Sequence, residues 1–334
     1  MKYIDFINNL ADDLQDALAE KGREIEVSVI KVNKSWGNEL GLSFSDGGAV
    51  CPVIYPKEQY ENHECGKDYF KMLNALAVEV EEIFDNLPGK FELDLEEAKD
   101  TIIIQLVNTE HSKEYLQDKV HREVEDLSIV YRLCSDFEGQ GPASLAINYE
   151  MLNEMGLNES ELYELAMEKA PLNRACIIKN LVDISLMLET VESPLVVVTN
   201  EDRVLGASAM MYPGTLERCA AVMNGDFFVL PSSVHEMLIL PDNDKISLDG
   251  LKSMVYEVNN TVLDQTEFLS NNVYHYDHKE KIFEIADKYV ERMNAKAKNS
   301  VIDSLKEKKN NVMKKGLLNR EHEIGSRKIQ GLSH

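Results

Sequence analysis

The chain is short of the features that announce chemistry. Its five cysteines, Cys51, Cys65, Cys134, Cys176 and Cys219, are scattered, and the nearest pair is fourteen residues apart. With no CxxC, neither a zinc knuckle nor a thioredoxin-type pair is supported, and dispersed thiols of this kind suit buried positions in a reducing compartment. There is no GxGxxG and no GxxxxGK[ST]. The glycines at Gly47-Gly48 and Gly139-Gln140-Gly141 do not lead from a strand into a helix, so phosphate cradles are excluded. No G-x-S-x-G elbow occurs. No run approaches the roughly 18 apolar residues that a membrane span needs. The N-terminal MKYIDFINNLADDLQDALAE carries acids where a signal peptide needs basic residues. A cytoplasmic protein without cofactor is expected.

Positive charge is also scarce. Against 59 Asp and Glu stand 35 Lys and Arg, a net charge of −24. Such a surface repels phosphate backbones and anionic lipids, which argues against membrane or nucleic-acid binding by the folded body. The imbalance is uneven. From Val290 onward eleven basic and five acidic residues give +6, which leaves 24 basic and 54 acidic groups, or −30, before it. Contact with nucleic acid is therefore confined to the tail after Tyr289, which holds no aromatic residue to stack on bases. That tail is expected to be mobile unless bound.

What the chain has is a core: 44% of its residues are hydrophobic. Residues 3–20 read as an amphipathic helix with Ile4, Ile7, Leu10, Leu14 and Leu18 on one face. Glu26–Ile30, Asn38–Phe44 and Ala49–Tyr55 alternate as strands. Lys67–Phe84 reads as a helix with Phe70, Leu73, Leu76, Val80 and Ile83 inward, stopped by Leu87-Pro88-Gly89. Thr101–Val107, Leu127–Leu133, Ser144–Asn148 and Leu195–Thr199 are further strands, and Gln117–Glu125 looks connective. Asn158 and Glu161 form a capping-box signal. Leu181, Ile184 and Leu188 mark a helix, Pro213 suits a helix N1 position, and Ser247 suits an N-cap. Phe227–Leu230 and His235–Leu240 predict an antiparallel hairpin across Pro231-Ser232-Ser233-Val234. A long helix is expected from Lys281 to about Lys309. The fold class is α+β: mixed, largely antiparallel sheets with helices packed on them, a long C-terminal helix and a basic tail. Regions 1–115, 116–278 and 279–334 are the expected divisions.

Candidate chemistry gathers around the hairpin. Ser232, Ser233, His235 and Glu236 are the residue types of a nucleophilic set, but neighbours on a strand point to opposite faces, so Glu236 cannot orient His235. His235 lacks the second histidine of an HExxH helix. His121 with Glu123, and His275 with His278, are the other fragments with metal-ligand spacing. They support a metal-assisted hydrolase or nuclease only if at least three of His121, Glu123, His235, Glu236 and His275 converge within about 5 Å of one point. The leading expectation is a non-enzymatic interaction or regulatory module with a protein partner.

Several segments also carry a resemblance. They are SVIKVNKSWGNELGLSF, CPVIYPKEQYENHECG, HREVEDLSIVYRL, VVVTNEDRVLGASAMMYPGTL, DFFVLPSSVHEMLILPD and LKSMVYEVNNTVLDQTEFLSNNVYHYD. In order and spacing they resemble a family of Gram-positive gut bacterial proteins known only as a domain of unknown function, over roughly residues 25–278. The hairpin and the ending Val273, Tyr274, Tyr276, Asp277 are its most specific parts. At the first turn Val32-Asn33-Lys34-Ser35-Trp36 stands in place of an Asn-Gly. The resemblance implies membership and no catalytic residues.

Overall fold

The structure is a computed structural model, and it describes residues 1–47, 51–86, 94–137, 141–180, 195–243 and 247–300. The expected basic tail beyond 300, the helix at Leu181–Leu188, the stop at Leu87-Pro88-Gly89 and the start of the strand at Ala49 lie outside these residues.

The chain opens with helix α1 (Tyr3–Glu20), whose buried residues Phe6, Ile7, Leu10, Ala11, Leu14 and Leu18 recur at helical spacing. Ile4 stays at the surface. Strands β1 (Glu26–Lys34) and β2 (Gly37–Ser45) form a hairpin longer than its sequence pattern suggested, and β3 (Val53–Ile54) adds to it. Helices α2 (Lys57–Glu64) and α3 (Tyr69–Asn86) complete this unit. Leu73, Leu76, Ala77 and Val80 join the α1 face in one apolar cluster with Leu42 and Phe44. Phe70, expected inward, is 72% exposed.

The next unit is a four-stranded antiparallel sheet. After the short helix α4 (Leu95–Ala98) comes β4 (Ile102–Asn108), with six consecutive buried residues. Helix α5 (Lys113–Leu116) leads to β5 (His121–Val124), where the charged run at 117–125 had looked connective. The run pairs because the apolar stretch of β6 (Leu127–Phe137) follows a tight turn and offers it a partner, from His121↔Val130 to Val124↔Leu127. Strand β7 (Gly141–Ala146) lies beyond β5 along β6.

Helices α6 (Tyr149–Glu154) and α7 (Glu159–Asn173) follow, and the capping box at Asn158 and Glu161 is formed. Then come β8 (Cys176–Asn180), β9 (Val196–Asn200), a 3-10 helix (Gly206–Met211) and α8 (Thr215–Met223). Pro213 is not at N1: Gly214, at φ +77°, is the N-cap, and its left-handed backbone turns the chain before the helix begins.

Strands β10 (Phe227–Ser233) and β11 (Glu236–Pro241) form the expected hairpin with a different tip. A bulge between Pro231 and Ser233 carries β10 through the serines, so Val234 and His235 make the turn. His235 is thus a turn residue and not a strand residue. Ser247 caps α9 (Leu248–Thr261) as read, though Val258 is exposed. Strands β12 (Tyr274–Asp277) and β13 (Ile282–Ile285) precede α10, residues 286–300. The long helix therefore starts later than Lys281, because Ile282-Phe283-Glu284-Ile285 pairs with β12 first.

The six-stranded sheet has the order β13-β12-β10-β11-β9-β8. Every strand pairing among the described residues is antiparallel. One face buries Val196, Val198, Phe227, Val229, Met237, Ile239, Tyr274 and Tyr276 against Ile104, Leu106, Ile129 and Tyr131 of the four-stranded sheet, in a shared core. The other face carries Leu230 and Leu240 under α9 and the start of α10.

Candidate functional site

The hairpin tip is built by a second loop. Asn200 ends β9 and exchanges two hydrogen bonds with Val204: its Nδ2 donates to the Val204 carbonyl at 2.8 Å and its Oδ1 accepts the Val204 N–H at 3.3 Å. Within this loop Arg203 and Leu205 hold φ of +55° and +56°, conformations that cost side-chain-bearing residues. Arg174, 5% exposed, fixes it from below. Its Nη1 donates to the Val204 carbonyl at 3.0 Å and its Nε lies 3.2 Å from Asp202 Oδ2. A Cβ on Gly206 would sit 2.5 Å from the His235 carbonyl oxygen and 2.8 Å from the Asn200 nitrogen, so only glycine lets the two loops meet.

His235 is locked by this arrangement. Its Nδ1 accepts the Leu205 N–H at 3.1 Å, which fixes that nitrogen as unprotonated, and its Nε2 faces Glu267 Oε1 at 3.6 Å. The Ser233 hydroxyl accepts the His235 backbone N–H at 3.0 Å, and the Ser232 hydroxyl donates to Glu236 Oε1 at 3.3 Å. Each serine is thus held by a partner other than the imidazole, and the ring's hydrogen-bonding nitrogen is occupied by backbone. The nearby thiols are held as thiols: burial pushes Cys219 up to about 12 and raises Cys176. Burial likewise pushes Tyr212 up to about 12.

The other candidates lie elsewhere. His121 is on β5, where its Nδ1 is 2.8 Å from the Lys119 carbonyl, and Glu123 is exposed two residues on. His275 is fully buried on β12, opposite Phe228. Phe228 lies five residues before Ser233 along β10, roughly 17 Å at strand rise, so His275 and the hairpin tip are at opposite ends of the strand. His278 binds Asp226, with Nδ1 2.5 Å from Oδ1. Among the described residues no three His, Cys, Asp or Glu side chains are grouped to hold a metal ion.

A buried polar cluster lies under α10. His275 Nε2 is 3.1 Å from Asp242 Oδ2, and its ring stacks on Tyr289 with centroids 3.6 Å apart. Arg292 donates from Nε to Glu284 Oε1 at 2.8 Å and from Nη2 to Asp277 Oδ2 at 3.0 Å. Lys288 binds Glu125 at 2.6 Å and Lys296 binds Glu280 at 3.0 Å. Lys288 and Arg292 of α10 are therefore laid on Glu125 and Asp277 of the acidic body. Sequence reasoning noted the charge contrast but not these pairs, because Arg292 and Tyr289 meet the face of β12 only after β13 has turned the chain back.

A model for a family of unknown function (DUF5688) matches residues 3–278. No curated protein and no solved structure matches the chain.

Proposed function

The chain belongs to the DUF5688 family, and from that premise we propose that it is a cytoplasmic, non-enzymatic interaction module whose acidic body receives a basic segment of a protein partner. The observation that carries this reading is α10. The helix seats Lys288 on Glu125 and Arg292 on Asp277 of the body, while Glu284 and Glu280 of its own segment pair with Arg292 and Lys296, which is how a carboxylate-bearing face takes a cationic helix. The body's charge of −30 before Val290 extends that complementarity over a wide surface and steers cationic partners toward it. The five cysteines, all free, favour a reducing compartment, and no helix among the described residues is long and apolar enough to cross a membrane. A metal-assisted hydrolase would need three of His121, Glu123, His235, Glu236 and His275 at one point, and the described residues bring no such group together.

The test is a labelled peptide of residues 279–300, titrated in trans against the chain and against its Arg292→Glu variant. In the wild type the tethered copy competes at high effective concentration. The variant's own segment no longer pairs with Asp277 of the body, so it should bind the peptide at least about tenfold more tightly than the wild type does. Added salt should weaken that binding. Equal weak binding by both chains, or equal binding of a scrambled peptide of the same composition, would sink the reading.

A further inference from the structure

We infer that residues 279–300 form an exchangeable strap, and that the partner fitted to its site is the same strap of a second copy of this chain. The inference rests on the interaction reading above and goes further by naming the partner. Strand β13 is the outer strand of the six-stranded sheet, four residues paired from Tyr274↔Ile285 to Asp277↔Ile282. Lifting it would leave the outer backbone groups of β12 as an open edge, and the sequence known to fit that edge is this chain's own.

The strap is held by contacts that a second copy can remake. Of α10 only Ala286 is buried, Tyr289 and Arg292 are half-buried, and residues 293–300 are all exposed. The strap's grip is two ring stacks, Tyr289 on His275 and Phe283 on Tyr274, the packing of Phe283 and Ile285 against the core, and the ion pairs of Lys288 with Glu125 and Arg292 with Asp277. Two polar atoms under it, His275 Nδ1 and Arg292 Nη1, are buried without a protein hydrogen-bond partner among the described residues, so protein groups fill its polar network only in part. Val290 and Met293 on α10 are each 42% exposed among the described residues.

The hinge is short and strained. Four residues, His278 to Lys281, join β12 to β13, and Lys281 sits at φ +56°. In the turn Asp277 Oδ1 accepts the Lys279 and Glu280 N–H groups and Asp226 accepts that of His278. Opening it into an extended linker releases the left-handed residue, and short strained hinges of this kind favour exchange of the element they carry. Each copy then makes the contacts of the closed chain with its partner's strap.

The experiment has two parts on the full chain. Native mass spectrometry of mixed light and isotopically heavy copies, up to near-millimolar concentration, reads dimer formation and subunit exchange. Copies carrying His275→Cys are then mixed with copies carrying Glu284→Cys, cross-strand partners in the closed chain, both in a background with Cys51→Ser and Cys65→Ser. The expected result is a slowly exchanging mixed dimer, a disulfide between the two kinds of copy, and a fall of at least about tenfold in dimer when Lys281→Gly removes the backbone strain. A chain that stays monomeric at every concentration overturns the inference, as does a dimer in which that disulfide never joins two copies. If the cysteine copies fail to fold, the isotope mixing and Lys281→Gly decide it alone. Monomers that still bind the 279–300 peptide after Arg292→Glu overturn the exchange only, whereas loss of both results overturns the interaction reading too.

Discussion

Two polar junctions grip β12 from its opposite faces, and they differ in how fully their hydrogen bonds are filled. On one face Tyr274 donates to Asp126 Oδ1 at 2.5 Å. Asp126 Oδ2 accepts from Ser270 at 2.7 Å, from Asn272 at 2.9 Å and from Asn108 at 3.4 Å, so one carboxylate ties the β5–β6 turn to the strand and to the loop before it. On the other face Asp277 and His275 meet Arg292 and Tyr289 of α10, and there two buried polar atoms have no protein partner among the described residues. Residues one apart on a strand face opposite ways, which is how four consecutive buried residues serve two junctions. A filled network makes a rigid joint, and a partly filled one makes a joint that can open.

The largest effect should come from breaking the filled junction. Asp126→Ala leaves the donors of Tyr274, Ser270 and Asn272 without their charged acceptor and should cost about 3 kcal/mol, read as a lower urea midpoint at unchanged slope. A cost under about 1 kcal/mol would erase the contrast between the junctions. The same junction sets an alkaline limit. Burial, then the charge of Asp126, holds the Tyr274 phenol well above the ordinary tyrosine range. A folded value raised in this way stabilises fully below the unfolded value near 10 and is lost as pH rises through the folded value, so Tyr274→Phe should flatten the alkaline fall in stability.

Next should come Arg292→Ala, at about 2 kcal/mol. The guanidinium is 19% exposed and water can reach part of it, but Asp277 and Glu284 are left nearly buried without their cation. The loss should be local. Hydrogen exchange should accelerate across 282–300 and leave β10 and β11 protected. A uniform acceleration over the whole sheet would mean that the strap is part of the core and not a separable piece. Acid should act on the same joint. Burial pushes the Asp277 carboxyl up, but bonds from the Glu280 amide, Arg292 and the Lys279 amide outweigh it and leave the group below its usual value. A depressed carboxyl stabilises above its unfolded value, near 4, and that contribution is lost as pH falls through the folded value. The strap should therefore loosen in acid before the rest of the sheet, and less steeply in Arg292→Ala.

How much of this was legible in the sequence follows from which interactions are local. Helix α1, the capping box at Asn158, the Ser247 cap and the buried run of β4 are set by neighbours within a turn or by a repeating pattern, and they read directly. The β5 strand did not, because His121–Val124 has no apolar alternation of its own and is a strand only beside β6. The hairpin tip was displaced because a bulge is invisible to a pattern of alternating faces. At the candidate sites, the pairing of Asp126 with Tyr274 spans 148 residues and that of His235 with Leu205 spans thirty. Nothing near Asp126 or Arg174 in the sequence marks either as a hub. The fold class was legible because it is a sum of local signals, and the junctions were not because each is a long-range meeting of ordinary polar residues.

The smallest effect should be that of His275→Phe, and it separates the junctions most sharply. His275 is fully buried, so on burial alone it resembles Tyr274. Its hydrogen bonding does not. Among the described residues Nδ1 has no protein partner, and Nε2 reaches only Asp242, whose side chain is 22% exposed and can turn to water when the imidazole is gone. A phenyl ring keeps the stack on Tyr289 and the edge contact with Phe228, and it removes a buried polar atom that nothing satisfies. Replacing an unsatisfied polar group by an apolar one of similar shape is close to neutral or stabilising, so the midpoint should move by less than about 1 kcal/mol in either direction. A loss comparable with that of Asp126→Ala would mean that an ordered water completes the His275 network, and that both faces of β12 are filled joints after all.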